Sequence, residues 1–98
     1  MPIKPETRIV HAIMDRLRAE GGFWFKVHGG PYQMVGLPDI LGCWKGRFIG
    51  IEVKTLTGKP TQIQLHILEQ ISKAGGYAGI ARNVEEALEI RDGGKVNG

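Results

Sequence analysis

The stretch from Asp39 to Lys54 constrains the fold more than any other part of the chain. Two runs with strand character, Asp39-Ile40-Leu41-Gly42-Cys43-Trp44 and Arg47-Phe48-Ile49-Gly50-Ile51-Glu52-Val53-Lys54, flank the dipeptide Lys45-Gly46. So short a connection makes the two runs antiparallel neighbours in a β-hairpin. Pairing across that turn sets residue i opposite 91 − i, which puts Asp39 opposite Glu52. Side chains alternate along a strand. Ile49, Ile51 and Val53 therefore share a core face, and Phe48, Gly50, Glu52 and Lys54 share the other. Gly50 is expected to keep the face beside Glu52 and Lys54 open to a phosphate backbone. On that reading, Gly50→Val impairs cleavage more than folding.

Helices are expected on both sides of the hairpin. Over residues 4–20, Ile9, Ile13 and Leu17 form a stripe widened by Val10 and Met14, with Pro5 in the first turn and Gly21-Gly22 as the stop. Residues 61–74 repeat the pattern with Ile63, Ile67 and Ile71 beside Leu68, closed by Gly75-Gly76. Residues 23–28 and 77–81 read as strands, and Asn83 caps a short helix running to about Arg91. The order is α-β-β-β-α-β-α, with the third and fourth strands parallel across a helical crossover. Residues 1–92 form one domain, and residues 93–98 read as a flexible tail. The chain has 98 residues, of which 15 are glycine, yet 42% are hydrophobic and no Gly-X-Y period occurs, so collagen and disorder are excluded. No apolar run is long enough to cross a membrane. Cys43 is the only cysteine, which excludes an intrachain disulfide or a cysteine zinc cluster and fits a reducing cytoplasm, the host's if the chain is viral. The net charge, 13 − 10 = +3, permits an acidic partner without demanding one.

The hairpin brings two carboxylates and a lysine together. Asp39 and Glu52 offer hard oxygen ligands for Mg²⁺ or Mn²⁺, and Lys54 offers a charge for an attacking water and a developing phosphoryl anion. That trio suits metal-assisted phosphodiester hydrolysis. An isolated Glu-x-Lys on a strand is common surface chemistry, and an Asp after a Pro is commonly a turn residue. The order Gly-x-Pro-Asp, hairpin, Glu-x-Lys, helix is what favours a site.

Gly36-Leu37-Pro38-Asp39-Ile40 followed by Gly46-Arg47-Phe48-Ile49-Gly50-Ile51-Glu52-Val53-Lys54 resembles the PD-(D/E)XK nuclease superfamily and, within it, the VRR-NUC family of virus-type replication-repair nucleases. The likeness extends to the opening helix with Glu6, the helix with Gln64, and the strand Tyr77-Ala78-Gly79-Ile80-Ala81, and so covers about residues 5–88. It implies an α/β fold, a restriction-endonuclease-like αβββαβ core with a central mixed sheet flanked by helices. It also implies a divalent-metal-dependent DNA endonuclease that uses Mg²⁺ or Mn²⁺, acts on branched DNA such as Holliday junctions, and forms homodimers. Asp39, Glu52 and the backbone carbonyl of Val53 would hold the metal, with Glu6 contributing through water. Lys54 would be the catalytic lysine and Gln64 would help hold the site. Two ordinary readings compete: Glu6 suits the first turn of a helix, and Thr61-Gln62-Ile63-Gln64 fits a capping box. The rival functions are a DNA-binding module without cleavage and a flap or nicking nuclease.

No dense basic run marks a nucleic-acid stripe. Lys26, His28, Lys45, Arg47, Lys59 and Arg82 are the expected DNA contacts, on loops or strand ends near the site. Phe23-Trp24-Phe25 are expected in the core or on a dimer surface, with Trp44 a further dimer-surface candidate, Cys43 is expected as a small buried hydrophobe, and Glu20 as a solvated helix end.

Overall fold

A computed structural model describes residues 2–94. The elements are α1 (Pro5–Glu20), β1 (Phe23–Lys26), β2 (Ile40–Trp44), β3 (Arg47–Val53), α2 (Gln62–Lys73), β4 (Tyr77–Ala81) and α3 (Val84–Arg91), in the expected order. β1 ends at Lys26, short of the expected His28. Of the tail expected over 93–98, residues 95–98 lie outside the described residues. Gly93 and Gly94 close α3 by donating to the carbonyls of Ile90 and Glu89 at 3.0 and 2.7 Å.

The hairpin has the register that the sequence predicts. Ile40 pairs with Ile51, Gly42 with Ile49 and Trp44 with Arg47. Both turn residues take positive φ, 51° at Lys45 and 79° at Gly46, as a two-residue turn matched to the strand twist requires. Glycine adopts this conformation freely, whereas a lysine there costs about 1 kcal/mol. The sheet order is β1-β2-β3-β4. The first two pairs are antiparallel, and β3 and β4 are parallel across α2, as expected.

Helices cover both faces of the sheet. On one face α1 and α3 pack Ile13, Leu17, Ala87 and Ile90 against Ile40, Ile49, Ile51 and Val53. Each fully buried side chain of this size contributes about 1.5–3 kcal/mol. The buried stripe of α1 is Val10, Ile13, Met14 and Leu17, with Ile9 at its margin rather than its centre. On the other face α2 presents Ile67 and Leu68, while Ile63, expected in the same stripe, is exposed. Thr61 and Gln64 form the capping box, each side chain accepting from the other's backbone N–H at 3.2 and 2.9 Å. At the other end of α2 the N–H of Gly76 donates to the carbonyl of Ile71, which ends the helix beside Phe48. The helix thus runs back along the sheet, and its first turn lies at the end of β3 that carries Glu52.

This arrangement corrects the expectations for Gly50 and Cys43 and decides between the two for Trp24. Gly50 is buried, and a Cβ there would lie 2.9 Å from Cδ1 of Ile71 and 3.2 Å from Cγ of Pro38. The glycine makes room for α2, not for a phosphate backbone. Gly50→Val is therefore expected to lower stability by about 1–3 kcal/mol, read as a fall in urea midpoint whether or not DNA is present. Trp24 is buried and its indole N–H donates to the carbonyl of Gly21 at 2.8 Å, so it belongs to the core and not to a dimer surface. Cys43 is exposed, because it lies in the row Phe23–Cys43–Phe48 on the sheet face that α2 leaves open.

Candidate active site

The register that pairs Ile40 with Ile51 carries on by one step to place Asp39 beside Glu52. Asp39 is fastened on both sides. Its Oδ2 accepts from the backbone N–H of Val53 at 2.8 Å, and its carbonyl accepts from Val27 N–H at 2.8 Å. Glu52 is 2% exposed, and its Oε1 has no hydrogen-bond partner. Its Oε2 lies 3.4 Å from Nζ of Lys54, the next residue on the same face. Burial pushes the Glu52 carboxyl up to about 8, the Asp39 charge adds to the rise, and Lys54 opposes it.

An unpartnered buried carboxylate oxygen is costly unless a cation or a proton meets it. One such oxygen with a second carboxylate, Asp39, beside it suits Mg²⁺ or Mn²⁺, which bind few protein ligands and keep several waters. The residues present therefore fit a divalent metal. Among the described residues no group of three His, Cys, Asp or Glu side chains that could hold a metal occurs, so Glu6 is not drawn in beside Asp39 and Glu52. Glu6 is half-buried in the first turn of α1. Gln64 stands at the site end of α2 with its carboxamide oxygen engaged by Thr61.

The expected DNA contacts divide between the two ends of the sheet. Lys26 ends β1 opposite Ile40, so it shares the site's end of the sheet, but its row points to the α1 face. His28 and Lys59 are exposed at the same end. Arg82 follows β4 there, and its guanidinium donates to the carbonyls of Thr55 and Gly58, holding the loop after β3. Lys45 and Arg47 do not lie near the site. Arg47 begins β3 and Glu52 is five residues on, which at about 3.3 Å per residue is roughly 17 Å.

At that far end lies a feature the sequence reasoning missed, a cavity of about 470 Å³ lined by Trp44, Lys45, Arg47, Tyr77, Arg91 and Asp92. Glu20 is part of its frame and is not merely solvated. It accepts from Nη1 of Arg91 at 2.8 Å and from Arg16, and Arg91 first and Arg16 second hold its carboxyl below the usual range. The signal was present in the register: Trp44 and Arg47 face each other across the turn, and Tyr77 opens β4 beside Ile49.

The fold is similar to that of a solved structure described as a VRR_NUC domain, with 24% sequence identity over 93% of this chain and 98% of that chain and a TM-score of 0.73. No protein-family profile matches the chain, and no curated protein matches it. The likeness establishes the fold: a four-stranded mixed sheet flanked by three helices, arranged as in a VRR_NUC domain.

Proposed function

We propose that this chain is a divalent-metal-dependent DNA endonuclease that hydrolyses phosphodiester bonds, with branched DNA such as Holliday junctions as its substrate. The observation that carries this reading is Glu52, a buried carboxylate with one orphaned oxygen, set beside Asp39 and Lys54 on one strand end. Asp39 Oδ1, Glu52 Oε1 and the carbonyl of Val53 are the atoms that would hold Mg²⁺ or Mn²⁺. When bound, the ion polarises the scissile phosphate and lowers the pKa of a coordinated water. Asp39 keeps its second oxygen on the Val53 N–H, which fixes the orientation of its carboxylate. Lys54, whose Nζ lies beside Glu52, would orient the attacking water and neutralise the charge that grows on the phosphoryl oxygens. Gln64 is the neighbouring helix residue assigned to support the site, and Glu6 is assigned an outer role through water.

Homodimerisation belongs to the same proposal. Phe23, Phe25 and Phe48 are 66%, 44% and 48% exposed on the open sheet face, an apolar surface of the kind that marks protein contacts. A two-fold dimer would present two sites to two strands of a junction. The likeness in fold to a VRR_NUC domain supports the nuclease reading.

The test compares a four-way junction with a linear duplex of the same sequence, in Mg²⁺ or Mn²⁺. Lys54→Ala is expected to slow cleavage at least about 100-fold while leaving the melting temperature within a few degrees. Cleavage that survives both Lys54→Ala and Glu52→Gln would remove the assignment.

A further inference from the structure

We infer that the cavity at the hairpin end of the sheet is a second nucleic-acid site, which grips the phosphate backbone of a DNA arm extending away from the cut. This inference rests on the nuclease reading for the identity of the ligand, but not for the chemistry of the site. Three cations are lined up on two aromatic rings. Lys45 Nζ lies 5.2 Å and the Arg91 guanidinium 4.4 Å from the centroid of Trp44, and Arg47 lies 4.3 Å from that of Tyr77.

The three cations do not do the same work. Arg91 is nearly buried, and its charge is balanced by Glu20 and by Asp92, whose carboxylate it meets at 3.0 and 3.2 Å. It braces Trp44. Lys45 and Arg47 are exposed, and among the described residues neither meets a carboxylate. Arg47 is steadied by Tyr77 and by a 2.7 Å hydrogen bond from Nη1 to the carbonyl of Gly75, and its other guanidinium nitrogens remain for a ligand. Rings that hold cations in place lower the entropy lost when those cations meet phosphates.

Lys45 gives a second, independent sign. Its φ of 51° sits where a hairpin turn prefers Asn, Asp or Gly. Turn chemistry does not choose a lysine there, and a local rule broken at a cavity mouth points to function. The cavity lies roughly 17 Å along the sheet from Glu52 and on the opposite face, in the row of Arg47 and Ile49, so DNA held there passes around the hairpin end of the sheet and not along the face of the site.

The experiment measures binding of a labelled duplex by fluorescence anisotropy in EDTA, where nothing is cut. Lys45→Asn keeps a residue that tolerates the turn, and Arg47→Gln keeps the length of the side chain. The double variant should bind a 20-base-pair duplex about 10-fold more weakly, with a salt slope shallower by about 1.8, the value for two phosphate contacts. Lys45→Asn alone should melt no lower than the parent, which separates lost contacts from lost folding. Unchanged affinity and slope on that duplex would overturn the second site and leave the cleavage reading standing. Weakened binding in a chain that cuts nothing would support the site and count against cleavage.

Discussion

Glu52→Gln is expected to melt about 5–10 °C above the parent in EDTA at pH 8.5. The Glu52 carboxyl is pushed from its ordinary 4.5 to about 8, by burial first and by the charge of Asp39 second, with Lys54 opposing. Between those two values the folded chain holds more protons than the unfolded chain. Stability therefore falls as pH rises through the window, and above pH 8 the fold carries a buried anion. Glutamine keeps the shape and removes the charge. Its amide has polar atoms of its own to satisfy, which offsets part of the gain, and about 1–2 kcal/mol should remain. The advantage should shrink as the pH is lowered and be gone below pH 4.5, where both states are protonated.

Divalent metal should reverse the order of the two proteins. At 100 times its dissociation constant a ligand bound only by the folded state adds about 2.7 kcal/mol. The parent should gain that with Mg²⁺ or Mn²⁺, whereas Glu52→Gln, without its anionic oxygen, should scarcely move. Differential scanning calorimetry at several pH values, with EDTA and with Mn²⁺, reads both effects. A parent that melts at one temperature across pH 6–9 and ignores metal would show that Glu52 is neither strained by its burial nor a ligand.

The hairpin explains why so much of this site can be read from the chain. Once Lys45-Gly46 is taken as the turn, the pairing of Asp39 with Glu52 and the face shared with Lys54 follow from the two-residue period of a strand. Strand alternation does not say what covers each face. The row Phe48, Gly50, Glu52, Lys54 reads as half-polar, and only the path of the crossover helix shows that Ile71 closes over Gly50 while Phe48 and Cys43 stay open. Distance along the sheet is legible in the strand itself. Arg47 and Glu52 are near neighbours in sequence, yet an extended strand sends them to opposite ends of the fold. The pairing of Glu20 with Arg91 joins residues 71 positions apart, and no local pattern announces it.

Gly42→Ala is expected to lower stability by about 3 kcal/mol, or about 12–24 °C in melting temperature. Gly42 lies in β2, between Trp24 of β1 and Ile49 of β3. A Cβ at this position would come within 2.2 Å of the carbonyl oxygen of Phe23 and 2.4 Å of Cε3 of Trp24. Neither neighbour has anywhere to go. The carbonyl belongs to the backbone of a paired strand, and the indole is buried with its N–H on Gly21. At Gly50 the nearest atom is the tip of an isoleucine, which can turn aside, so the same methyl group there is expected to cost less. The damage at Gly42 should also reach the site, because β2 begins directly after Asp39. Pushing β1 away from β2 strains the hydrogen bond from Val27 N–H to the Asp39 carbonyl, and with it the carboxylate that faces Glu52. Gly42→Ala should accordingly weaken Mn²⁺-induced stabilisation even at temperatures where the chain is folded, whereas Gly50→Ala, on the far side of the same strand pair, should keep it. A Gly42→Ala chain within about 1 kcal/mol of the parent by urea titration would mean that the indole of Trp24 does not rest on β2, and the packing that holds Asp39 in place would have to be sought elsewhere.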